Sequence, residues 1–150
     1  VETADQMHAA VTDRAGTADV VVMAAAVADF KPAAAADRKI KKGGGVPQVV
    51  LEPTVDILAA LGAAKPAGQT LVGFAAETDD LRANAEAKLR RKGADLIVAN
   101  DVSAPGAGFE HDTNEVVILS AEGATEVPKA DKRTIARAVI DAVTTLRSTQ

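Results

Sequence analysis

Asp29 stands between a run of small residues, Ala24-Ala25-Ala26-Val27-Ala28, and Phe30. Small side chains let a backbone come close to a ligand. A carboxylate just past an apolar strand can accept a hydrogen bond from a ribose hydroxyl or help to hold a metal ion. The same acid also suits an ordinary turn. Farther on, Lys39-Ile40-Lys41-Lys42 brings three ammonium groups together. A polyanion such as a triphosphate would relieve their repulsion, although charge runs also occur as solvated loops. Pro53-Thr54-Val55-Asp56-Ile57 reads as the opening of a helix, where unpaired N–H groups suit anions. Asp56 repels a bare phosphate there but can share Mg²⁺ with it; alternatively it complements the helix dipole.

Gly73-Phe74-Ala75-Ala76-Glu77-Thr78 sets an aromatic ring at a strand end, where it packs on a base or sugar or simply joins the core. Lys88 and Lys92, four apart, share one helix face and can converge on one anion or act as surface cations. Asn100-Asp101-Val102-Ser103 and Gly108 to Asn114 read as polar loop, with His111 a loop or interface residue rather than a base. No Ser-His-Asp arrangement stands out. Neither G-x-G-x-x-G nor G-x-x-x-x-G-K-[ST] occurs, which argues against a standard NAD enzyme and a P-loop enzyme.

The elements that must carry these residues alternate. Thr3 and Gln6 form a T-x-x-Q capping box for a helix over 4–15. The β-branched run over 19–24 predicts a strand buried on both faces. Residues 29–47 show no persistent period and read as a lysine-bearing flap. A short strand over 49–51 is expected, then a helix capped by Thr54 with Ile57, Leu58 and Leu61 inward. Thr70 to Phe74 reads as a strand, followed by a helix capped by Thr78 or Asp79 and closed by Gly93. Asp95 to Ala99 is a third buried strand. Residues 115–120 and 124–127 suggest a hairpin around Glu122-Gly123, and a helix over 130–147 buries Ile135, Val139, Val143 and Leu146. Together these predict an α/β chain, a Rossmann-like three-layer fold with a mostly parallel sheet, plus the C-terminal hairpin and the flap.

Composition narrows the function classes. The 150 residues are 47% hydrophobic and 25% charged, with a formal net charge of −4. That excludes a disordered chain and disfavours nucleic acid as a partner. Without Cys there is no disulfide, thiolate zinc site or cysteine nucleophile, and two His exclude a histidine-rich metal centre. The longest apolar run, Val20 to Ala28, is too short to span a membrane. A soluble, cytoplasmic protein is expected. With no Trp or Tyr and only three Phe, its core must come from Ala, Val, Leu and Ile. The chain opens on Val1, as a piece of a longer polypeptide would.

In their order, the segments Thr3-Ala4-Asp5-Gln6-Met7, Ala25 to Phe30, Lys39 to Lys42, Gly73 to Thr78, Ala99 to Ser103, Gly108-Phe109 and Asn114-Glu115-Val116 resemble bacterial phosphopantothenate-cysteine ligase (phosphopantothenoylcysteine synthetase). The resemblance runs through essentially all of residues 1–150, implying a single ligase domain. It implies that CTP activates the carboxylate of 4′-phosphopantothenate as an acyl-cytidylate, after which L-cysteine displaces CMP, with Mg²⁺ present. By the same resemblance, Asp29 holds the nucleotide or its metal, with Ala28 and Phe30 near the cytosine. Lys39, first of the K-x-K-K motif, contacts nucleotide and assists turnover of the intermediate. Thr54, Val55, Asp56 and Ile57 form a second nucleotide-binding turn, and Phe74, Lys88 and Lys92 complete the site.

The resemblance further implies a homodimer whose lysine flap reaches toward the partner's site. It also implies a flavin-dependent decarboxylase domain in the full-length protein, no part of which is present here. The family's G-G-T-x-E beginning and its N-x-S-S-G segment are not found before Val1, so the chain is expected to fold, bind nucleotide weakly and turn over poorly alone. The choice of CTP over ATP comes from the resemblance and not from the residues. Two other readings stay open: a Rossmann-like nucleotide-binding module without catalysis, and a short-chain dehydrogenase relative suggested by Asn100-Asp101.

Overall fold

The computed structural model describes residues 1–34, 38–40, 48–77, 80–101 and 112–149. The capping box forms as expected. Thr3 Oγ1 accepts from the Gln6 N–H at 3.1 Å, Gln6 Oε1 accepts from the Thr3 N–H at 3.3 Å, and helix α1 runs over Ala4–Ala15. Strand β1 (Val20–Met23) follows. It is not buried on both faces: Val22 is 41% exposed, on the side of the sheet edge that borders open space at the strand ends.

The stretch expected to be an aperiodic flap begins and ends in a ribbon. Phe30–Pro32 (β2) pairs antiparallel with Leu51–Pro53 (β3), bracketed by hydrogen bonds from Ala33 N to Val50 O and from Thr54 N to Asp29 O, each 2.9 Å. These two backbone contacts set the register and move the short strand from 49–51 to 51–53. Lys31 fastens the ribbon to α1, with Nζ 2.6 Å from Asp5 and 3.6 Å from Glu52. The hydrogen bond that Lys31 donates to the Asp5 carboxylate holds the ammonium above its ordinary pKa.

Helix α2 (Ile57–Ala64) is capped by Asp56, not Thr54. The Thr54 hydroxyl instead donates to the Ala28 carbonyl at 2.6 Å, leaving Asp56 Oδ1 to accept from the Ala59 N–H at 3.0 Å. Strand β4 (Thr70–Glu77) extends past the predicted end. Helix α3 (Leu81–Lys92) is preceded by Asp80, which makes no side-chain cap; Thr78 and Asp79 lie outside the described residues. Gly93 ends α3 at φ 60°, a left-handed conformation that favours glycine. Strand β5 (Leu96–Asp101), strand β6 (Thr113–Leu119), strand β7 (Ala124–Asp131) and helix α4 (Lys132–Ser148) complete the chain. The β6–β7 hairpin is longer than expected, and Asp131 caps α4 by accepting from Thr134 N at 2.9 Å and Thr134 Oγ1 at 2.8 Å. Those bonds, the backbone one foremost, keep the Asp131 carboxyl below its ordinary pKa.

The main sheet has the order β1-β4-β5-β6-β7. Its first three strands are parallel, and both later pairings are antiparallel, so only β6 runs against the others. Alternate residues face opposite layers. Val72, Val98, Val116 and Ile118 pack against Ile135, Val139 and Val143 of α4. Leu71, Ile97, Ala99 and Leu119 face α1, α2 and α3, among them Ala15, Leu61, Ala85 and Leu89. The result is the expected α/β, Rossmann-like three-layer arrangement with a mostly parallel sheet. No helix among the described residues is long and apolar enough to cross a membrane.

One buried polar side chain ties the lower edge of this sheet to α1. Gln69 is 6% exposed, and its Nε2 donates to the carbonyls of Ala15 at 2.6 Å and Ala18 at 2.7 Å. Gln69→Ala removes both donors from carbonyls that have little access to water. A loss of about 1–2 kcal/mol is expected, read as a midpoint lower by roughly 3–6 °C in thermal unfolding. An unchanged midpoint would mean that water replaces the amide without cost.

Candidate functional site

The parallel strands end side by side, with Met23 opposite Gly73 and Ala76 opposite Asn100. The segments leaving those ends enclose a cavity of about 990 Å³. Its position, outside the carboxyl ends of a parallel sheet, is where open α/β folds bind ligands. Ala28, Asp29 and Phe30 line it from the connection between β1 and β2, Thr54 to Ile57 from the approach to α2, Phe74 from β4, and Lys88 and Lys92 from α3. Every residue expected at a nucleotide therefore faces one space, with the exception of Lys39.

Local geometry explains the gathering. The Thr54 hydroxyl and the Thr54 N–H bind the consecutive carbonyls of Ala28 and Asp29, which joins the two wall segments at their closest point. Asp56 then does two things at once. Oδ1 caps α2, while Oδ2 pairs with Lys92 Nζ, whose side chain is 12% exposed. Lys88 Nζ lies 3.6 Å from Glu77 Oε1. Both lysines are thus matched by a carboxylate from another element, whereas Asp29 is exposed and makes no ion pair among the described residues.

Close backbone approach holds α2 in place. A Cβ built on Gly62 would overlap the carbonyl oxygen of Lys92 and lie 2.9 Å from its carbon, and one on Gly73 would lie 2.5 Å from Leu58 Cδ2. Glycine at these two positions lets α2 lie against α3 and β4.

Lys39 is exposed on the stretch between β2 and β3 and does not line the cavity of its own chain. Lys41 and Lys42, the rest of its motif, lie outside the described residues, as do Phe109 and His111. Conversely, the cavity takes in residues to which the sequence assigned no ligand contact: Asn100 and Asn114, which lie in β5 and β6 rather than in the expected polar loops, and Lys132, with Val22 and Ile140 on the apolar side. Lys132 opens α4 directly after its Asp131 cap, so the predicted helix start was the available signal. No group of three or more potential metal ligands occurs among the described residues.

The family model described as the DNA/pantothenate metabolism flavoprotein C-terminal domain matches residues 1–146. The chain is 44% identical, over 97% of its length, to the coenzyme A biosynthesis bifunctional protein CoaBC of Mycobacterium tuberculosis and to that of Bacillus subtilis, covering 37% and 36% of those proteins. It is 48% identical, over 79% of its length, to a protein named cysteine/cysteine sulfinic acid decarboxylase from an unknown prokaryotic organism, covering 33% of it. The chain thus spans about a third of the length of these curated relatives. The crystal structure of the C-terminal domain of CoaBC matches the whole chain with a TM-score of 0.79 and 35% identity, and the chain covers 65% of it. The DNA/pantothenate metabolism flavoprotein from Streptococcus pneumoniae, at 19% identity and a TM-score of 0.78, shares the fold; the match covers 97% of this chain and 71% of that one.

Proposed function

We propose, because the chain belongs to the family of DNA/pantothenate metabolism flavoprotein C-terminal domains, that it is the unit which ligates 4′-phosphopantothenate to L-cysteine in coenzyme A biosynthesis. The observation that carries this reading is the convergence of Asp29, Asp56, Phe74, Lys88 and Lys92 on one cavity at the strand ends. A carboxylate oxygen of 4′-phosphopantothenate attacks the α-phosphorus of CTP and pyrophosphate leaves. The cysteine nitrogen then attacks the acyl carbon, CMP leaves, and the amine gives up a proton. Such chemistry needs positioned charge more than a protein nucleophile, which suits a cavity lined by Lys88, Lys92 and Lys132 and by no cysteine.

In this reading Lys88 and Lys92 meet the phosphates, Phe30 and Phe74 flank the base, and the Thr54 to Ile57 turn shapes the wall between them. Asp29 fits the ribose or Mg²⁺. A single unpaired carboxylate is a donor set that suits an ion delivered by a polyphosphate, because Mg²⁺ is commonly held by one or two carboxylates plus phosphate oxygens. When bound, Mg²⁺ offsets phosphate charge. Lys39 acts from a second copy of the chain: it does not line its own cavity, and Phe30, Ile40, Val49, Val50 and Leu51, on the ribbon and the stretch it brackets, are exposed apolar residues that a homodimer would cover. The relatives' description as bifunctional fits a flavin-dependent decarboxylase as the neighbouring domain, and a cytoplasmic location goes with it.

Calorimetric titration with CTP and Mg²⁺, beside ATP and NADP, tests the nucleotide reading. Selective uptake of CTP is expected. Preference for NADP would favour the dehydrogenase reading, and CTP binding without pyrophosphate release on addition of both other substrates would favour a binding module. Lys39→Gln is expected to leave the circular dichroism spectrum unchanged and to slow product formation about a hundredfold, the order expected for losing a single positioned donor. Unchanged turnover would remove Lys39 from the reaction.

A further inference from the structure

Lys88 is held in place by a carboxylate. Its Nζ lies 3.6 Å from Oε1 of Glu77, the last residue of β4, and the two side chains are 25% and 19% exposed. Lys88 lines the cavity and Glu77 does not, so the ammonium borders the ligand space while its carboxylate partner stays off the cavity wall. A lysine stem of four carbons has many rotamers, and fixing it before a ligand arrives removes that ordering cost from binding. A carboxylate also repels an anion, but less than the nearer ammonium attracts it. We propose that Glu77 is a positioning residue, which holds the Lys88 ammonium at the cavity wall to receive an oxygen of a polyphosphate. Asp56 pairs with Lys92 in the same way but also caps α2, whereas the Glu77 side chain caps no helix among the described residues, which separates positioning from helix stability.

This rests on the nucleotide reading for its ligand, and the experiment keeps the two apart. In the full chain labelled with ¹³C-lysine, the Lys88 Cε signal is identified by its loss in Lys88→Gln. Glu77→Gln is expected to move that signal toward the position of a free lysine, with no nucleotide present. A Lys88 signal unmoved by Glu77→Gln overturns the proposal whatever CTP does. Mg²⁺–CTP titration gives the second readout. Glu77→Gln is expected to weaken binding about tenfold in the wild-type background and by less than about twofold in Lys88→Gln, since a residue acting through its partner shows coupling in a double-mutant cycle.

Equal weakening in both backgrounds, or tighter binding in Glu77→Gln, also overturns it. Absence of CTP binding in the wild type counts against the nucleotide reading, while the Lys88 signal still decides the role of Glu77. Should Glu77→Gln lose its native circular dichroism, the signal is read in Glu77→Asp, whose carboxylate falls one methylene short; an unmoved signal there overturns the proposal.

Discussion

Gly62→Val is expected to destabilise the chain by about 3–4 kcal/mol, lowering the midpoint of thermal unfolding by roughly 10 °C. Gly62 lies on α2 where the backbone of α3 passes, and even a single added carbon would overlap the Lys92 carbonyl oxygen and lie 3.2 Å from Gly93 Cα. The atoms in the way are backbone, so no rotamer change relieves the overlap. The helices must separate, and with them Ile57, Leu61 and Leu58 from the core beneath α2. Gly62→Ala is expected to fall between, because alanine gains about 1 kcal/mol of helix propensity while creating the same first contact. Gly16→Ala is the control: its φ is −61°, nothing lies within 4 Å of an added Cβ, and no loss is expected. A Gly62→Val midpoint equal to that of Gly16→Ala would show that α2 slides on α3 without cost. Because Lys92 is the residue displaced, CTP binding by Gly62→Ala should also weaken, with an effect visible below its unfolding transition.

Lys92→Met is expected to weaken Mg²⁺–CTP binding about a hundredfold, a larger loss than for any other single side chain of the cavity. Its stem is enclosed, with 12% of the side chain exposed, and methionine keeps most of that packing while removing the charge. Two changes then act in the same direction: the anion loses a cation, and Asp56, 48% exposed, is left as an unpaired negative charge at the cavity wall. Fold stability should change little, since a half-exposed carboxylate is well solvated and Oδ1 still caps α2. Asp56→Asn in the Lys92→Met background should recover part of the affinity, because asparagine keeps a capping oxygen without the charge. Titration of the four variants in a cycle checks this. A loss below about threefold in Lys92→Met would place the phosphates elsewhere in the cavity.

Much of the chain follows from contacts between near neighbours in sequence. The Thr3–Gln6 box, the glycine that closes α3, the apolar runs of β4 and β5, and the apolar positions of α4 are all local; the box, the glycine and the burial of Ile135, Val139 and Val143 formed where expected, while β4 and β5 run on to Glu77 and Asp101 and Leu146 is only half-buried. Lys88 and Lys92 share a wall of the cavity because four residues make about one helical turn. That the segment after β1 and the far half of β4 would meet at one end of the sheet was also legible, since parallel strands deliver their carboxyl ends to one edge.

What the tertiary structure alone decided depends on partners far away in the chain. Thr54 and Asp56 were both acceptable caps for α2; the Ala28 carbonyl, brought alongside by the β2–β3 ribbon, engages Thr54 and leaves the cap to Asp56. That ribbon has only three residues a side and joins segments with no shared period, so no local pattern announces it. The exposure of Val22 came from the cavity it lines, and the requirement for glycine at 62 from two helix backbones in contact. The same holds for the pairing of Glu77 with Lys88 and for Lys132 among the cavity residues. Periodicity and capping act over a few residues and are written into the sequence directly, whereas strand order and helix packing determine which distant carbonyl, carboxylate or ammonium each side chain meets.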